Sequence, residues 1–147
     1  MTSDSSTTQE SQVDFYLLAD SKLSADHLAC RLAMMAWERQ QDVFVVVDSD
    51  SHSEKLDELM WQYPADRFLP HALSNAAKAP VQIGRGTDIK QVGVVINLCR
   101  EAVPQATKFK RILEIVPFAK QERDASRVKF KTYRDLGLSP QLHEINT

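Results

Sequence analysis

VFVVVD, at residues 43–48, has apolar and mostly β-branched side chains at its first five positions. A strand that is apolar on both faces is typical of the middle of a sheet that is covered on each side, as parallel sheets are. Similar short apolar runs occur at residues 13–18, 81–84, 92–98 and 112–116. Segments with helical spacing separate several of these runs. The alternation predicts an α/β fold with three layers and a mostly parallel sheet.

Helix-start signals follow several of the predicted strands. Ser24 can cap a first helix, and Ser51 with Glu54 has the capping-box spacing that predicts the start of a second. Pro104 suits the first turn of a short helix that ends near residue 109. A last helix is predicted from about residue 119 to residue 136.

Composition indicates one soluble domain with its own core, since 43% of the 147 residues are hydrophobic and 26% are charged. We expect this domain at residues 13–147, after a disordered tail at residues 1–12 that has no apolar side chain beyond Met1. No apolar run approaches the roughly 18 residues of a membrane helix and no signal-peptide pattern occurs, so a cytoplasmic location is expected. Cys30 and Cys99 are not closely spaced and are expected to stay reduced.

Sites for cofactors, metals and catalysis are not predicted. Asp48 ends a strand where a dinucleotide fold places its ribose-binding acid. However, the turn after the first strand, LLADSKLSAD, has no glycine to cradle a pyrophosphate, so Asp48 is interpreted as a loop residue. The 4 histidines lack metal-ligand spacing, and no nucleophile-elbow motif occurs. We expect no cofactor, no metal and no intrinsic enzymatic activity, and we interpret His71 as a hydrogen-bonded structural or interface residue.

The second predicted helix leaves one large aromatic side chain off its apolar stripe. Trp61 lies about 140° around the helix from Leu56, which belongs to that stripe. Phe68 follows in YPADRFLPH, residues 63–71, within a proline-containing stretch that is predicted to be a loop. Either this loop covers Trp61 and Phe68, or the two rings form a protein-binding patch.

The last predicted helix concentrates cations on one face, although the net charge of the chain is −2. On a helical wheel, the face within about 80° of Arg123 also holds Lys120, Arg127, Phe130, Lys131 and Arg134. The opposite side is expected to pack on the sheet through Ala125, Val128, Thr132 and Leu136. The basic face is typical of a solvated surface, of a site for a peptide that is both acidic and apolar, or of a surface for single-stranded nucleic acid.

Four stretches together resemble the chi subunit of bacterial DNA polymerase III holoenzyme. They are FYLL at 15–18, LDELMWQYPADRFLPH at 56–71, VPF at 116–118 and RVKFKTYR at 127–134. The resemblance spans roughly residues 13–138, and the second stretch is its most specific part. It implies a noncatalytic α/β subunit that is Rossmann-like without a nucleotide-binding loop. It also implies one-to-one pairing with the psi subunit, which tethers chi to the clamp loader, and binding of the acidic C-terminal tail of single-stranded-DNA-binding protein.

By position, the resemblance assigns residues to two surfaces. The psi-binding surface would contain Trp61, Pro64 and Phe68. The tail-binding region would contain Val116, Arg123, Arg127, Phe130, Lys131 and Arg134. The family has tyrosine where this chain has Phe130, and we expect the loss of the hydroxyl to change the affinity while the pocket remains. The alternative function is a small α/β domain that binds single-stranded nucleic acid directly through its basic last helix, which the acidic overall balance disfavours.

Overall fold

The computed structural model describes residues 11–63 and 67–145. The strands are β1 (Gln12–Leu18), β2 (Val43–Val46), β3 (His71–Leu73), β4 (Val81–Gly84), β5 (Val94–Asn97), β6 (Arg111–Val116) and β7 (Gln141–Ile145). Within the described residues they form one seven-stranded sheet in the order β3-β4-β2-β5-β6-β1-β7. Every pair of neighbours is parallel, which confirms the prediction of a mostly parallel sheet.

The apolar run that predicted the fold forms β2, near the middle of the sheet, and all of its residues are buried. Val43 and Val45 face the hydrophobic core on one side of the sheet. Phe44 and Val46 face a second core on the other side. Side chains alternate along a strand, so a strand with a core on each side is apolar at every position.

Three α-helices complete the outer layers in the described part of the chain: α1 (Ala25–Glu38), α2 (Asp50–Gln62) and α3 (Lys120–Asp135). Leu28 of α1 and Leu56 of α2 join the core on one face of the sheet. Tyr133 of α3 joins the core on the opposite face. The predicted three-layer α/β fold is therefore confirmed. None of the described helices is both long and apolar enough to cross a membrane.

Capping side chains explain where the first two helices begin. Ser24 caps α1, as predicted, because its Oγ accepts a hydrogen bond from the His27 amide at 3.1 Å. The predicted cap of α2 was wrong. Ser49, and not Ser51, accepts a hydrogen bond from the His52 amide, also at 3.1 Å, and Ser51 lies in the first turn. The short helix predicted at residues 104–109 is a single 3₁₀ turn, Ala106–Lys108.

Helix α3 ends at a glycine that turns the chain toward β7. Gly137 has a φ angle of 88°, in the left-handed region that residues with a Cβ disfavour. The Gly137 amide donates to the Arg134 carbonyl at 2.9 Å, and the Leu138 amide donates to the Tyr133 carbonyl at 3.1 Å. These two bonds form a Schellman motif, which stops the helix and directs the following residues to the sheet edge.

The two edge strands were not predicted. β3 lies in the stretch that was predicted to be a loop, and β7 lies beyond the last predicted element. Four of the five residues of β7 are exposed, and its sequence, QLHEI, lacks the regular apolar alternation that would predict a strand. The predicted tail also extends too far: Gln12 already belongs to β1, and Ser11 is buried and donates to the Ala106 carbonyl at 3.3 Å. Residues 1–10 lie outside the described residues.

Candidate functional site

A groove of about 610 Å³ runs between helix α3 and the sheet edge at β7. Its apolar floor is formed by Leu17 of β1 and Leu142 of β7, with Phe15 of β1, whose side chain is almost completely buried, at their base. Phe15 lies opposite Leu142 in the pairing of the two strands, so both side chains emerge on the same face of the sheet. The α3 side contributes Arg123, Ser126, Arg127, Phe130, Lys131, Arg134 and Asp135. We call this site the α3 groove.

The structure brings together five of the six residues that were predicted to bind a peptide tail. Arg123, Arg127, Phe130, Lys131 and Arg134 all line the α3 groove. Val116 does not line it. Its side chain is 1% exposed and belongs to the core beneath the groove, in the same cluster as Phe15. Val116 therefore supports the floor from below and presents almost no surface to a ligand.

Arg123 is held in place by the protein itself. Its Nε donates to the Phe118 carbonyl at 3.1 Å, and one terminal nitrogen donates to the Leu18 carbonyl at 3.0 Å. The guanidinium also lies over the Phe118 ring, 5.3 Å from the ring centroid, within cation–π range. With two carbonyls already bound, Arg123 is a fixed positive charge at one end of the groove.

Arg127 is much freer, since its side chain is 80% exposed. It pairs with Asp124 at 3.2 Å, and Lys120 pairs with the other carboxylate oxygen of Asp124 at 3.0 Å. Exposed pairs of this kind are weak, so a stronger anionic ligand can displace Asp124 from Arg127. Lys120 is not among the residues that line the groove.

Phe130 continues the apolar floor on the helix side. Its ring lies 5.4 Å from the ring of Phe15, centroid to centroid, and the two planes are tilted by 50°. This packing explains how an aromatic side chain is accommodated among cations. Sequence reasoning identified Phe130 but missed Phe15, Leu17 and Leu142. The alternation of Phe15 and Leu17 in the first predicted strand was an available signal, whereas Leu142 lies in a strand that was not predicted.

The side of α3 that was predicted to pack on the sheet was assigned wrongly. Val128 is 67% exposed and Leu136 is half exposed. The helix instead buries Lys129 and Tyr133. A helical wheel centred on the cations counts Lys129 as one more polar surface residue. Its burial is explained only by its partner on the strand beneath α3.

That partner is Glu114 of β6, whose carboxylate is fully buried. Lys129 Nζ donates to Glu114 Oε1 at 2.7 Å and to the Cys99 carbonyl at 2.8 Å. The Tyr133 hydroxyl and the Asn97 amide donate to the other oxygen of Glu114. Burial raises the pKa of Glu114, and Lys129, Tyr133 and Asn97 each oppose this effect. The network fixes α3 over the sheet and so sets the position of the groove wall.

A second surface surrounds Trp61 on α2. The Trp61 and Phe68 side chains are 61% and 59% exposed, and their ring centroids are 5.6 Å apart. The rings contact each other but are not covered, so of the two open interpretations the structure favours an exposed patch. Pro64 lies outside the described residues. We call Trp61 and Phe68 the Trp61 surface.

His71 supports this surface from below. Its ring lies 4.8 Å from the Trp61 ring, centroid to centroid, in an edge-on arrangement. The side chain is buried, with Nδ1 2.6 Å from the Leu69 carbonyl and Nε2 3.2 Å from the Asp57 carbonyl. His71 was predicted to be a hydrogen-bonded structural or interface residue, and its hydrogen bonding is confirmed. Among the described residues, no group of three or more His, Cys, Asp or Glu side chains could hold a metal ion.

Solved structures with a similar fold include T4 UvsW and a DEAD box protein from the hyperthermophile Methanococcus jannaschii. The TM-scores are 0.66 and 0.56, with sequence identities of 8% and 14%. The matches cover 95% and 92% of this chain but only 42% of each of those chains. At these identities the likeness concerns the fold alone.

Curated relatives are similar over nearly their whole length. The DNA polymerase III subunit chi of Pseudomonas aeruginosa is 34% identical over 137 residues, which cover 91% of this chain and 96% of that protein. The subunits named chi from Escherichia coli and Haemophilus influenzae are each 27% identical, and the matches cover 85% and 82% of this chain and 92% and 88% of those proteins. The family model described as DNA polymerase III chi subunit, HolC, matches residues 11–141. The chain therefore belongs to the DNA polymerase III chi subunit family.

Proposed function

We propose that the protein is a noncatalytic accessory subunit of DNA polymerase III holoenzyme that connects two partners. The psi subunit, which links it to the clamp loader, binds the Trp61 surface. The acidic C-terminal tail of single-stranded-DNA-binding protein binds the α3 groove. The observation that carries the proposal is the composition of this groove, where the cationic side chains of α3 line one side of an apolar floor.

The groove suits a peptide that ends in an aromatic residue and a free carboxylate. Leu17, Phe130 and the exposed Leu142 offer an apolar surface to the aromatic ring. Arg127 is exposed and held only by a weak surface pair, so its guanidinium can turn to bind the terminal carboxylate through two parallel hydrogen bonds. This combination of one apolar and one anionic requirement is more selective than charge alone.

Upstream acids of the peptide meet the remaining cations of the groove. Arg123 already donates to two backbone carbonyls and contributes mainly its charge. Lys131 and Arg134 line the groove farther along α3. They are therefore the side chains that we assign to the upstream acids, with Arg123 in a supporting role.

The Trp61 surface supports the psi-binding part of the proposal. Two large aromatic side chains that contact each other and stay mostly exposed are typical of the centre of a protein interface. Buried His71 contacts the Trp61 ring from below and restricts its movement. A ring that is already positioned loses less conformational entropy when a partner covers it.

Direct binding of single-stranded nucleic acid is the competing function. Asp124 and Asp135 lie on or beside the cationic wall, and the net charge of the chain is −2. Both features weaken the attraction for a phosphate backbone, which is mainly electrostatic. The electrostatic attraction for an acidic peptide is weakened in the same way, but its aromatic residue also gains free energy from contact with the apolar floor.

The test is a fluorescence titration with a labelled acidic peptide that ends in an aromatic residue and a free carboxylate. We expect amidation of its C-terminus to weaken binding by about tenfold or more in the wild type, and to have little effect in Arg127→Ala. Arg127→Lys should bind with intermediate affinity, because an ammonium cannot form the paired hydrogen bonds.

A single-stranded oligonucleotide provides the control ligand. Equal losses on amidation in wild type and Arg127→Ala would show that Arg127 does not bind the carboxylate. Tighter binding of the oligonucleotide than of the peptide at the same salt concentration would favour the competing function. High salt should reduce peptide binding without abolishing it, because screening acts on the charges and leaves the apolar contact in place.

A further inference from the structure

The edge of the sheet beside the α3 groove presents backbone groups to the outside. Within the described residues β7 is the outermost strand on this side of the sheet. The Ile145 carbonyl accepts a hydrogen bond from the Ala19 amide at 3.0 Å, so the backbone of Ile145 points inward, toward β1. Successive residues of a strand direct their backbone groups to alternate sides. The amides and carbonyls of Leu142 and Glu144 therefore point outward, while those of His143 point toward β1.

This edge is continuous with the groove. The Leu142 side chain is 60% exposed and forms part of the groove floor, while its own backbone faces out of the sheet. Helix α3 closes the opposite side of the groove with its cations. A peptide that lies against this cationic wall and the apolar floor has the β7 edge as its other neighbour.

We propose that the part of the bound acidic peptide upstream of its groove-bound end adds to the sheet as an eighth strand beside β7. Its backbone would form hydrogen bonds with the outward amides and carbonyls of Leu142 and Glu144. In this mode of binding, main-chain contacts add affinity without requiring a particular peptide sequence. The inference rests on the proposed function of the groove, because the same peptide occupies both. Lys131 and Arg134 keep an acidic segment close to this edge.

Glu144 defines one sequence requirement for that segment. Its side chain lies on the same face as Leu142, since residues two apart in a strand share a face. A peptide acid directly beside Glu144 would be repelled, so we expect an uncharged residue at that position of the peptide.

Amide hydrogen exchange measured by NMR on the full chain tests the proposal directly. Addition of a long acidic peptide should slow the exchange of the Leu142 and Glu144 amides by about three- to tenfold or more. The His143 amide, which points toward β1, should change little. A truncated peptide that keeps only the terminal aromatic residue and carboxylate should fill the groove and leave all three amides unchanged.

A matched pair of variants separates the backbone from the side chain. Glu144→Pro removes an outward amide without removing a bond to β1. It should lower the affinity for the long peptide by about three- to tenfold and leave the affinity for the truncated peptide unchanged. Glu144→Gln keeps the amide and removes only the charge, so its affinity for the long peptide should be equal or slightly higher. Protection of the His143 amide in Glu144→Pro shows that β7 is still in place.

The outcomes distinguish this inference from the function on which it rests. If the long peptide binds in an Arg127-dependent manner but the Leu142 and Glu144 amides are not protected, the added strand is wrong and the groove proposal stands. If neither peptide binds, both are wrong. If these amides become protected with rising protein concentration and without peptide, a second copy of the chain occupies the edge and the proposal is overturned.

Discussion

Lys129 differs from the other cations of α3 because it points into the protein. Its ammonium group and the carboxylate of Glu114 lie 2.7 Å apart, and both side chains are almost completely buried. Each charge offsets part of the cost of burying the other, so the loss of one partner is more damaging than the loss of both.

Lys129→Met should therefore lower the free energy of unfolding by about 3–5 kcal/mol, because it leaves a buried carboxylate without its cation. Glu114→Gln combined with Lys129→Met should cost clearly less than the sum of the two single changes. Urea denaturation of the four proteins measures this. Additive losses would show that the two residues are not coupled.

The same pair gives a pH effect in the variant. In Lys129→Met, burial is no longer opposed by a cation, so the pKa of Glu114 rises further above its unfolded-state value. A raised carboxyl pKa makes the charged form unfavourable in the folded protein. The stability deficit of Lys129→Met should accordingly be largest at neutral pH, and it should shrink as the pH falls and Glu114 takes up a proton.

At the scale of elements, a hydrogen-bonded pair, ionic when its histidine is protonated, joins the first turns of α1 and α2. His52 Nε2 lies 2.9 Å from Asp26 Oδ1. The hydrogen bond with Asp26 raises the pKa of His52, desolvation opposes this, and the nearby charges of Asp48 and Lys55 act in opposite directions. A histidine whose folded-state pKa is raised stabilises the protein below its unfolded-state pKa of about 6.5 and loses this contribution as the pH rises through the folded value.

Asp26→Asn should thus be less stable than the wild type by up to about 1 kcal/mol at mildly acidic pH, with a smaller difference at pH values well above the pKa of His52. Urea denaturation of both proteins across this range gives the difference. His52→Gln should show the same loss of pH dependence. If the difference in the free energy of unfolding between the two proteins stayed constant across the pH range, the pair with Asp26 would not be shifting the pKa of His52 on folding.

The central strands could be predicted from the sequence, and the edge strands could not. β2 is buried on both faces, and its continuous apolar sequence therefore predicts its position inside the sheet. β7 is mostly exposed and mixes polar with apolar residues, and its position depends on backbone bonds to β1, more than a hundred residues earlier in the chain. Helical spacing likewise predicted the cations of the α3 groove, but the floor residue Leu142 required knowledge of β7. The buried position of Lys129 required knowledge of Glu114.

On the scale of the whole molecule, the two proposed interfaces are far apart. The α3 groove lies at the β7 edge, whereas the Trp61 surface lies on the opposite face near β3, at the other edge. Six strand spacings of about 4.8 Å place these edges roughly 30 Å apart. Sites at that distance that share no residues are expected to act independently.

Trp61→Ala should abolish or severely weaken pairing with psi, by at least about 2 kcal/mol, and leave binding of the acidic peptide unchanged. Calorimetric titrations with each partner measure both effects, with Met35→Ala, which removes another exposed apolar side chain, as the control. Loss of the far-UV circular dichroism signal in Trp61→Ala would show a structural role. A folded variant that pairs normally would place the interface elsewhere.

The position of β1 affects how the protein is made. β1 pairs with β6 and β7, and the first of these partners is translated roughly 100 residues after it. At a translation rate of about 5–20 residues per second, β1 leaves the ribosome roughly 5–20 s before its partners exist. Its apolar residues, including Val13 and Phe15, are exposed to other nascent chains and to chaperones during this interval. The sheet can therefore be completed only once most of the chain has been synthesised. If the ribosome stalled before β6, the nascent chain would keep the apolar residues of β1 exposed and would be prone to aggregate.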